Sequence, residues 1–554
     1  MPRRFLFLSA CAALLLSACI ADEESRFIEG GEGEAEGDDP CDEEGKGDRR
    51  YGIMPGTCPG TSTPCADPQA PTGCNVRPGA LTCTSPPGAA TVLEVCGGGA
   101  CPYTTITDAV AAIPADPGTE HWVVVHGGTY TENVTVTQTS GASDPITIAA
   151  RCVGGSRDSV TVAHATDNPV LKVAATSANV TLEGFRVLAS AVAATEGAVT
   201  LLGANGAVRD VVVSGADMHA AFYVQGSDCV LEEVDASDCR YGLQAFFADD
   251  VDLERGAFCD SLENGIQIDG GSGFRANATL VQDSAVVGVH VDVATDVRFT
   301  RLLTRGHTAS GGGFGIELWD VNGFDLWHSQ VTDNTFGILI DLDARDMELE
   351  NVLLSRHTNG RAIEVNTGYI GNDQLRIRFS TFADGQYAIR LLAPIDVRLD
   401  RNIFYAGSAP GGYGIEITDA SASLSAWDGS ADPLENLFYG NYGVNQQCIE
   451  AAAGQCTNVM AFTSDAHMLG DGYYLEEDRS AAVNAASDNA NTVTLGDGTD
   501  LDDYTTSLDL GLDAVQADLG FHHPPCFETF GDEGCGDGYC AGGETSGTCA
   551  RDCP

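Results

Sequence analysis

Gly242-Leu243-Gln244-Ala245, Gly265-Ile266-Gln267-Ile268, Gly288-Val289-His290-Val291, Gly315-Ile316-Glu317-Leu318 and Gly337-Ile338-Leu339-Ile340 are successive copies of one pattern: Gly or Ala, apolar, any residue, apolar. Ala362-Ile363-Glu364-Val365, Ala388-Ile389-Arg390-Leu391 and Gly414-Ile415-Glu416-Ile417 continue it, and weaker copies reach back through Ala221, Ala198 and Val170. The steps between the clear copies are 23, 23, 27, 22, 25, 26 and 26 residues. A repeat of this length with period-two alternation denotes a solenoid.

Each copy is followed by two further alternating pieces. The first includes Val251-Asp252-Leu253, Val297-Arg298-Phe299, Phe324-Asp325-Leu326 and Leu375-Arg376-Ile377; the second includes Gln330-Val331, Leu353-Leu354, Thr381-Phe382 and Ile403-Phe404. One coil of three short strands cannot bury its apolar face, whereas stacked coils can, each strand pairing in parallel with its equivalent roughly 4.8 Å away. The expected fold is all-β, a parallel β-helix of roughly eleven or more coils. A β-sandwich with evenly spaced strands is the alternative, and the fixed three-strand unit argues against it. Asn264, Asn334 and Asn402 fall near the corners, where left-handed turn positions are expected.

Tyr103-Thr104-Thr105-Ile106-Thr107-Asp108-Ala109-Val110, the Gly128-Thr129-Tyr130-Thr131-Glu132-Asn133-Val134 stretch and Asp144-Pro145-Ile146-Thr147-Ile148 precede the coils, and Asp518-Leu519-Gly520-Phe521-His522-His523 follows them. With the coils, these phrases resemble the right-handed parallel β-helix of the pectin-lyase-like superfamily over about residues 100 to 524. The resemblance implies an opening helix, a strand after it and a closing phrase. It carries little about function, because one such fold hosts lyases, hydrolases, esterases, adhesins and scaffolds.

The N-terminus has Arg3 and Arg4, an apolar run from Phe5 to Leu16, then Leu16-Ser17-Ala18-Cys19. This is the form of an export signal. It resembles the bacterial lipobox, which implies removal of residues 1–18 and lipidation of Cys19. No other apolar run is long enough to cross a bilayer, so the lipid would be the membrane anchor. Ile20 in place of Asp favours, by the same resemblance, the outer membrane, with the chain at the cell surface or facing the periplasm. Residues 19–50 are rich in Glu, Asp and Gly and read as a disordered tether.

The chain has 20 Cys, and setting aside Cys11 and Cys19 leaves an even number, as extracytoplasmic disulfides require. Seven lie between Cys41 and Cys101, so residues 51–101 read as a disulfide-held cap or stalk before the solenoid at 102–524. Cys239 and Cys259 occupy similar corners of neighbouring coils and are expected to staple them. Residues 525–554 form a Cys-rich tail in which Asp537, Glu544 and Asp552 offer either a calcium site or solvated turn residues.

A formal charge of −52 excludes nucleic acid as a direct partner, since that needs a basic footprint. A bare anionic polysaccharide would be repelled unless calcium bridged the two. Apart from Lys46 and Lys172, every basic residue is Arg, and Lys172 stands at one end of the stack with no evident partner. By family resemblance this argues against a lyase with a Lys base. The polygalacturonase and pectin methylesterase signatures are absent as well, and Asp249-Asp250 reads as a turn.

Geometry remains. The third residue of each tetrapeptide, and the residue two later, point away from the core. The first column reads Tyr223, Gln244, Gln267, His290, Glu317, Leu339, Glu364; the second reads Gln225, Phe246, Asp269, Asp292, Trp319, Asp341, Asn366. Carboxylates and amides that bind hydroxyls, beside rings that pack on C–H faces, suit a sugar-binding face. The candidate binding residues are Tyr223, Gln244, Gln267, His290, Glu317, Trp319, Glu364 and Asn366. Carboxylates one rung apart lie roughly 4.8 Å apart, near the retaining-glycosidase separation; two rungs give roughly 9.6 Å, near the inverting one. Asp269 with Asp292 fits the first and Asp292 with Asp341 the second. The same residues on an acidic surface are also what a purely structural column would show; His290 as a satisfied surface histidine and Trp319 as a packed ring fit that reading. The expected function is binding of polysaccharide or another extracellular polymer by a monomer. The alternatives are a glycoside hydrolase or, less readily, a polysaccharide lyase, and a non-catalytic scaffold or adhesin. Calcium is the one cofactor the composition leaves open.

Overall fold

The tetrapeptides form a 13-stranded parallel sheet from Val134–Val136 to Cys448–Ile449. A computed structural model describes residues 85–522 apart from several internal stretches, together with 41–42, 46–47 and 83. The signal segment, Cys19 and the C-terminal module with Asp537, Glu544 and Asp552 lie outside the described residues. Within the acidic segment, Cys41–Asp42 pairs antiparallel with Lys46–Gly47.

Register follows the repeat. Ile266, Val289, Ile316, Ile338, Ile363, Ile389 and Ile415 stand opposite one another from rung to rung. Each is buried, as period-two alternation around a closed core demands. The other two pieces of each coil build a 22-stranded sheet around the same core. In the middle coils they run on as single bent strands, Thr295–Arg305, Asn322–Thr332 and Arg345–Ser355. Aromatic side chains stack down the interior: Phe382, Phe404 and Phe438 lie with centroids 4.8 and 4.5 Å apart.

Many of the bends are made by left-handed residues other than glycine. Arg255, Arg301, His328, Asn351, Phe379 and Arg401 hold φ between 48° and 56° at one corner. Such a backbone costs a non-glycine residue about 1–2 kcal/mol. The ladder offsets it, because the bent residue still donates its N–H to the next rung, as Arg255 does to the Asn277 carbonyl at 3.0 Å. The expectation for Asn264, Asn334 and Asn402 is corrected here. None of the three is left-handed; Asp333 and Arg401, one residue earlier, take that geometry. Asn334 and Asn402 instead turn inward and are fully buried. Asn402 accepts from the Ser380 N–H (2.9 Å) and donates to the Ile377 carbonyl (3.0 Å) and to Asn436 Oδ1 (2.9 Å). A buried carboxamide satisfied by backbone on neighbouring coils locks rung to rung.

The opening helix Ile106–Ala111 forms where expected. Thr105 caps it, and Glu132 accepts hydrogen bonds from the Ile106 and Thr107 N–H groups at 2.9 and 2.8 Å, placing an anion on the helix N-terminus. The closing phrase adds no rung. It runs back along the solenoid, where the Phe521 N–H reaches Thr381 Oγ1 (2.9 Å) and the His522 N–H reaches Asn351 Oδ1 (2.6 Å). Parts of residues 482–519 pack an apolar patch onto Phe379, Ile403 and Leu437, so this returning segment straps several coils together.

The Cys239–Cys259 staple does not form. Cys239 is a buried free thiol, whereas the Cys259 sulfur is committed to another disulfide. Burial pushes the Cys239 thiol up to about 12, which leaves it inert. Cys83–Cys152, Cys96–Cys101 and Cys448–Cys456 are bridged.

Candidate functional site

The two outward columns of the tetrapeptide sheet are in the expected register. Gln244, Gln267, His290 and Glu317 succeed one another, and beside them run Phe246, Asp269, Asp292, Trp319 and Asp341. The columns differ in exposure. Tyr223, Gln244, Gln267, His290 and Glu317 keep only 7–9% of their surface open. Rungs this close leave no room for solvent between long side chains, so the first column packs edge to edge.

Its polar atoms bond to one another. His219 Nε2 contacts Gln244 Oε1 (2.9 Å), and Gln244 Nε2 donates to Asp269 Oδ2 (2.8 Å). Asn264 donates to Gln267 Oε1 and Gln267 Nε2 to Asp269 Oδ1, both at 2.5 Å. One rung on, His290 Nδ1 meets Glu317 Oε2 at 2.8 Å, and the His290 ring lies edge-on to Trp319 at 5.1 Å. The first column is thus a fixed lattice supporting the second. Glu364 is drawn out of it into ion pairs with Arg361 (2.7 Å) and Arg390 (3.3 Å).

The second column is half-exposed along Phe246, Asp269, Asp292, Trp319, Asp341 and Asn366. Two amides orient Asp269. Burial, with Asp269 close by, pushes the Asp292 carboxyl above its ordinary range against the opposing pull of His290. The Tyr223 ring stacks on Phe246 at 6.3 Å. Trp319 occupies the rung between Asp292 and Asp341, a ring between two carboxylates.

Sequence reasoning missed what borders this column. Phe247, Val293 and Leu342 are 62%, 55% and 52% exposed and left-handed, with φ of 48°, 53° and 46°. A β-branched or bulky residue held there is an outlier. The signal was in the sequence: an apolar residue directly follows the outward position at 247, 293 and 342, where solvent would favour a polar one.

A second concavity lies on the other sheet and was also missed. Two adjoining cavities of about 300 and 340 Å³ share Arg275 and Arg298. Arg298 holds Asp325 with two hydrogen bonds (3.1 and 2.9 Å) and lies 4.1 Å over the Trp327 ring. Asp497, from the returning segment, closes one side. The outward column Asp252, Arg275, Arg298, Asp325 ties itself off in ion pairs, while the two cavities together are lined by six carboxylates and three guanidiniums. Asp249, read from the sequence as a turn residue, forms a parallel bridge with Ser272 on the next coil and accepts from its N–H and hydroxyl, both at 2.9 Å. Lys172 does have a partner, Glu196 at 2.5 Å, contrary to expectation. The salt bridge crosses a chain separation of 24 residues, which local inspection of the sequence does not reveal.

No protein-family model matches this chain, and no curated protein matches it in sequence. Solved structures are similar to parts of this chain. The catalytic unit of the GH87 α-1,3-glucanase from Streptomyces thermodiastaticus strain HF3-3 is 13% identical over 63% of this chain and 69% of its own, with a TM-score of 0.44. Pectate lyase Pel9A is 15% identical over 56% and 77%, with a TM-score of 0.34. XylC, in complex with xylose, is 8% identical over 65% and 86%, with a TM-score of 0.39. The activities in those names belong to those proteins.

Proposed function

We propose that this protein binds a polysaccharide or another extracellular polymer along the tetrapeptide face, as a monomer held at the bacterial outer membrane by lipid on Cys19. One observation carries the reading: half-exposed carboxylates and aromatic rings repeat at the rung spacing on a lattice of already satisfied amides, imidazole and carboxylate. Preorganised side chains lose little entropy on binding, and a repeating surface suits a repeating ligand. The charge of −52 favours a neutral glycan, or an acidic one bridged by calcium.

A second reading, hydrolysis, is favoured by Asp292. Its raised affinity for a proton, one rung from the doubly hydrogen-bonded Asp269, is what a general acid needs. A glycan array and a product-release assay on the solubilised full chain, with and without calcium, separate the two. Trp319→Ala is expected to weaken glycan binding about tenfold or more, and the Asp269→Asn, Asp292→Asn double variant to weaken it without changing any product. Product release by the wild type that the double variant abolishes would replace binding with catalysis. Silence of the wild type on every glycan would leave a scaffold or adhesin. Separately, Cys19→Ala is expected to move the protein from the membrane to the soluble fraction on ultracentrifugation; an unchanged membrane share would remove the lipid anchor from the account.

A further inference from the structure

At the N-terminal end of the solenoid, four metal-ligating side chains of different chemistry converge. Thr91–Val95 pairs in parallel with His121–Val125, placing Glu94 opposite Val124. Cys96 and His126 follow directly, tied by the His126 N–H to the Val95 carbonyl at 3.0 Å. Alternation puts Glu94, Cys96 and His126 on one outer face. The Gly97-Gly98-Gly99-Ala100 loop then brings Cys101 back over them. Cys101 Sγ lies 3.7 Å from His126 Nε2 and 3.9 Å from Glu94 Oε2, and His126 Nε2 lies 3.8 Å from Glu94 Oε2. The ligand atoms of Cys96, Cys101 and His126 all fall within 4.8 Å of one another.

Apart from the two bonded sulfurs, the separations of Cys101, His126 and Glu94 approach those of a coordination shell. With Zn–S near 2.3 Å and Zn–N or Zn–O near 2.0–2.2 Å, a tetrahedron has edges of roughly 3.3 to 3.8 Å. In the structure the two sulfurs are joined as a disulfide. The bridge closes a separation of only 5 residues, where the stabilisation from cross-linking is smallest. The Cys101 sulfur faces the His126 imidazole at 3.7 Å.

We infer that Glu94, Cys96, Cys101 and His126 form a redox-gated site for zinc or a similar borderline divalent metal, closed as the disulfide and opened by a dithiol. The dithiol supplies two electrons and two protons: the Cys96–Cys101 bond breaks, two thiols form, and the reductant becomes a disulfide. Metal then displaces the two thiol protons and takes two thiolates, the imidazole and the carboxylate. The glycine loop lets the sulfurs separate without moving the paired strands.

The test uses the full chain, reduced with a phosphine that does not compete for metal, and titrated with Co²⁺ while the thiolate charge-transfer and visible bands are read. The reduced wild type is expected to bind one equivalent more than the reduced Cys96→Ser, Cys101→Ser double variant. His126→Ala is expected to weaken that equivalent tenfold or more and shift its visible band, and Glu94→Gln to weaken it less. The oxidised protein should lack it. Each variant's circular dichroism, compared with wild type, keeps a folding defect separate. Equal affinity and spectra in wild type and His126→Ala, equal binding by oxidised protein, or resistance of Cys96–Cys101 to reduction would each overturn the proposal, the last leaving a structural bridge.

Discussion

Phe404→Ala is expected to lower the unfolding free energy by about 3–5 kcal/mol, the range for removing a buried aromatic ring. The ring has no exposed surface and is sandwiched in the interior column, 4.8 Å from Phe382 with the planes 1° apart and 4.5 Å from Phe438 with the planes 8° apart. Truncation removes the transfer energy of the ring and two stacking contacts, each worth about 0.5–1.5 kcal/mol beyond area. It also leaves a cavity that the surrounding backbone ladders hold open. In a solenoid each coil touches only its neighbours, so one lost ring weakens two interfaces at once. Phe404→Leu, which refills part of the volume, should cost less than half as much. Urea unfolding followed by circular dichroism reads both. A Phe404→Ala midpoint equal to wild type would mean that the aromatic column is not what couples these coils.

The second large effect concerns Glu350, which holds the returning segment to the solenoid. Its side chain is fully buried, accepts the Gly496 N–H at 2.6 Å and contacts the Arg378 guanidinium. Arg378 in turn donates to the Thr494 carbonyl at 3.3 Å. Nearby, His328 Nε2 meets Asp497 Oδ2 at 3.1 Å. Glu350→Ala strands a largely buried guanidinium and removes the Gly496 acceptor, and is expected to cost about 3–5 kcal/mol.

The pH dependence has a definite sign. Burial pushes the Glu350 carboxyl up to about 7, against the pull of Arg378. A raised carboxyl favours the docked state while protonated, so this contribution is complete below about 4.5 and is lost as pH rises through 7. At about 1.4 kcal/mol per unit, the loss is up to about 3 kcal/mol. Burial pushes Asp497 the other way from its partners, but the His328 hydrogen bond and charge win and hold it below the ordinary range. Its contribution is therefore present above about 3.8 and lost as pH falls further. Docking should be firmest near pH 4, between the loss of the Asp497 contribution below about 3.8 and that of the Glu350 contribution above about 4.5. Hydrogen exchange of the Gly496, Gly498 and Leu501 amides, corrected for intrinsic rates, is expected to show less protection at pH 8 than at pH 5. Glu350→Gln, which keeps an acceptor but does not titrate, should flatten that difference. Equal protection at both pH values in the wild type would refute the assignment.

Much of this architecture was legible before any coordinates. The tetrapeptide sets strand, register and facing direction together, because period two and a fixed coil length leave one way to stack. The opening helix was legible only through the family resemblance of its phrase; its Thr105 cap and the Glu132 contacts came with the structure. What was not legible needed neighbours in space. That the row from Tyr223 to Glu317 points away from the core follows from alternation; that it is nonetheless packed shut follows from rung spacing and side-chain length. Asn402 was placed one residue off the left-handed corner because its inward turn is decided by carbonyls on coils above and below. Similar corners of neighbouring coils suggested Cys239 and Cys259 as partners, but their sulfurs are not joined. The wall around Arg298 and the strap over Glu350 depend on a segment that returns 146 residues later in the chain to place Gly496 on Glu350, a separation that no local pattern encodes.

The central claim is that the tetrapeptide face is one continuous binding surface, and the most direct measurement is affinity against glycan chain length, by calorimetry on the full chain with size-fractionated oligosaccharides of a glycan it binds. From the Tyr223 rung to the Asn366 rung the face spans about 30 Å at the rung spacing. The account predicts that affinity rises with chain length until the ligand spans that distance and then levels off, with Trp319→Ala lowering it for long chains. Affinity already maximal for a mono- or disaccharide, and indifferent to Trp319, would contradict it and place recognition in a small pocket elsewhere.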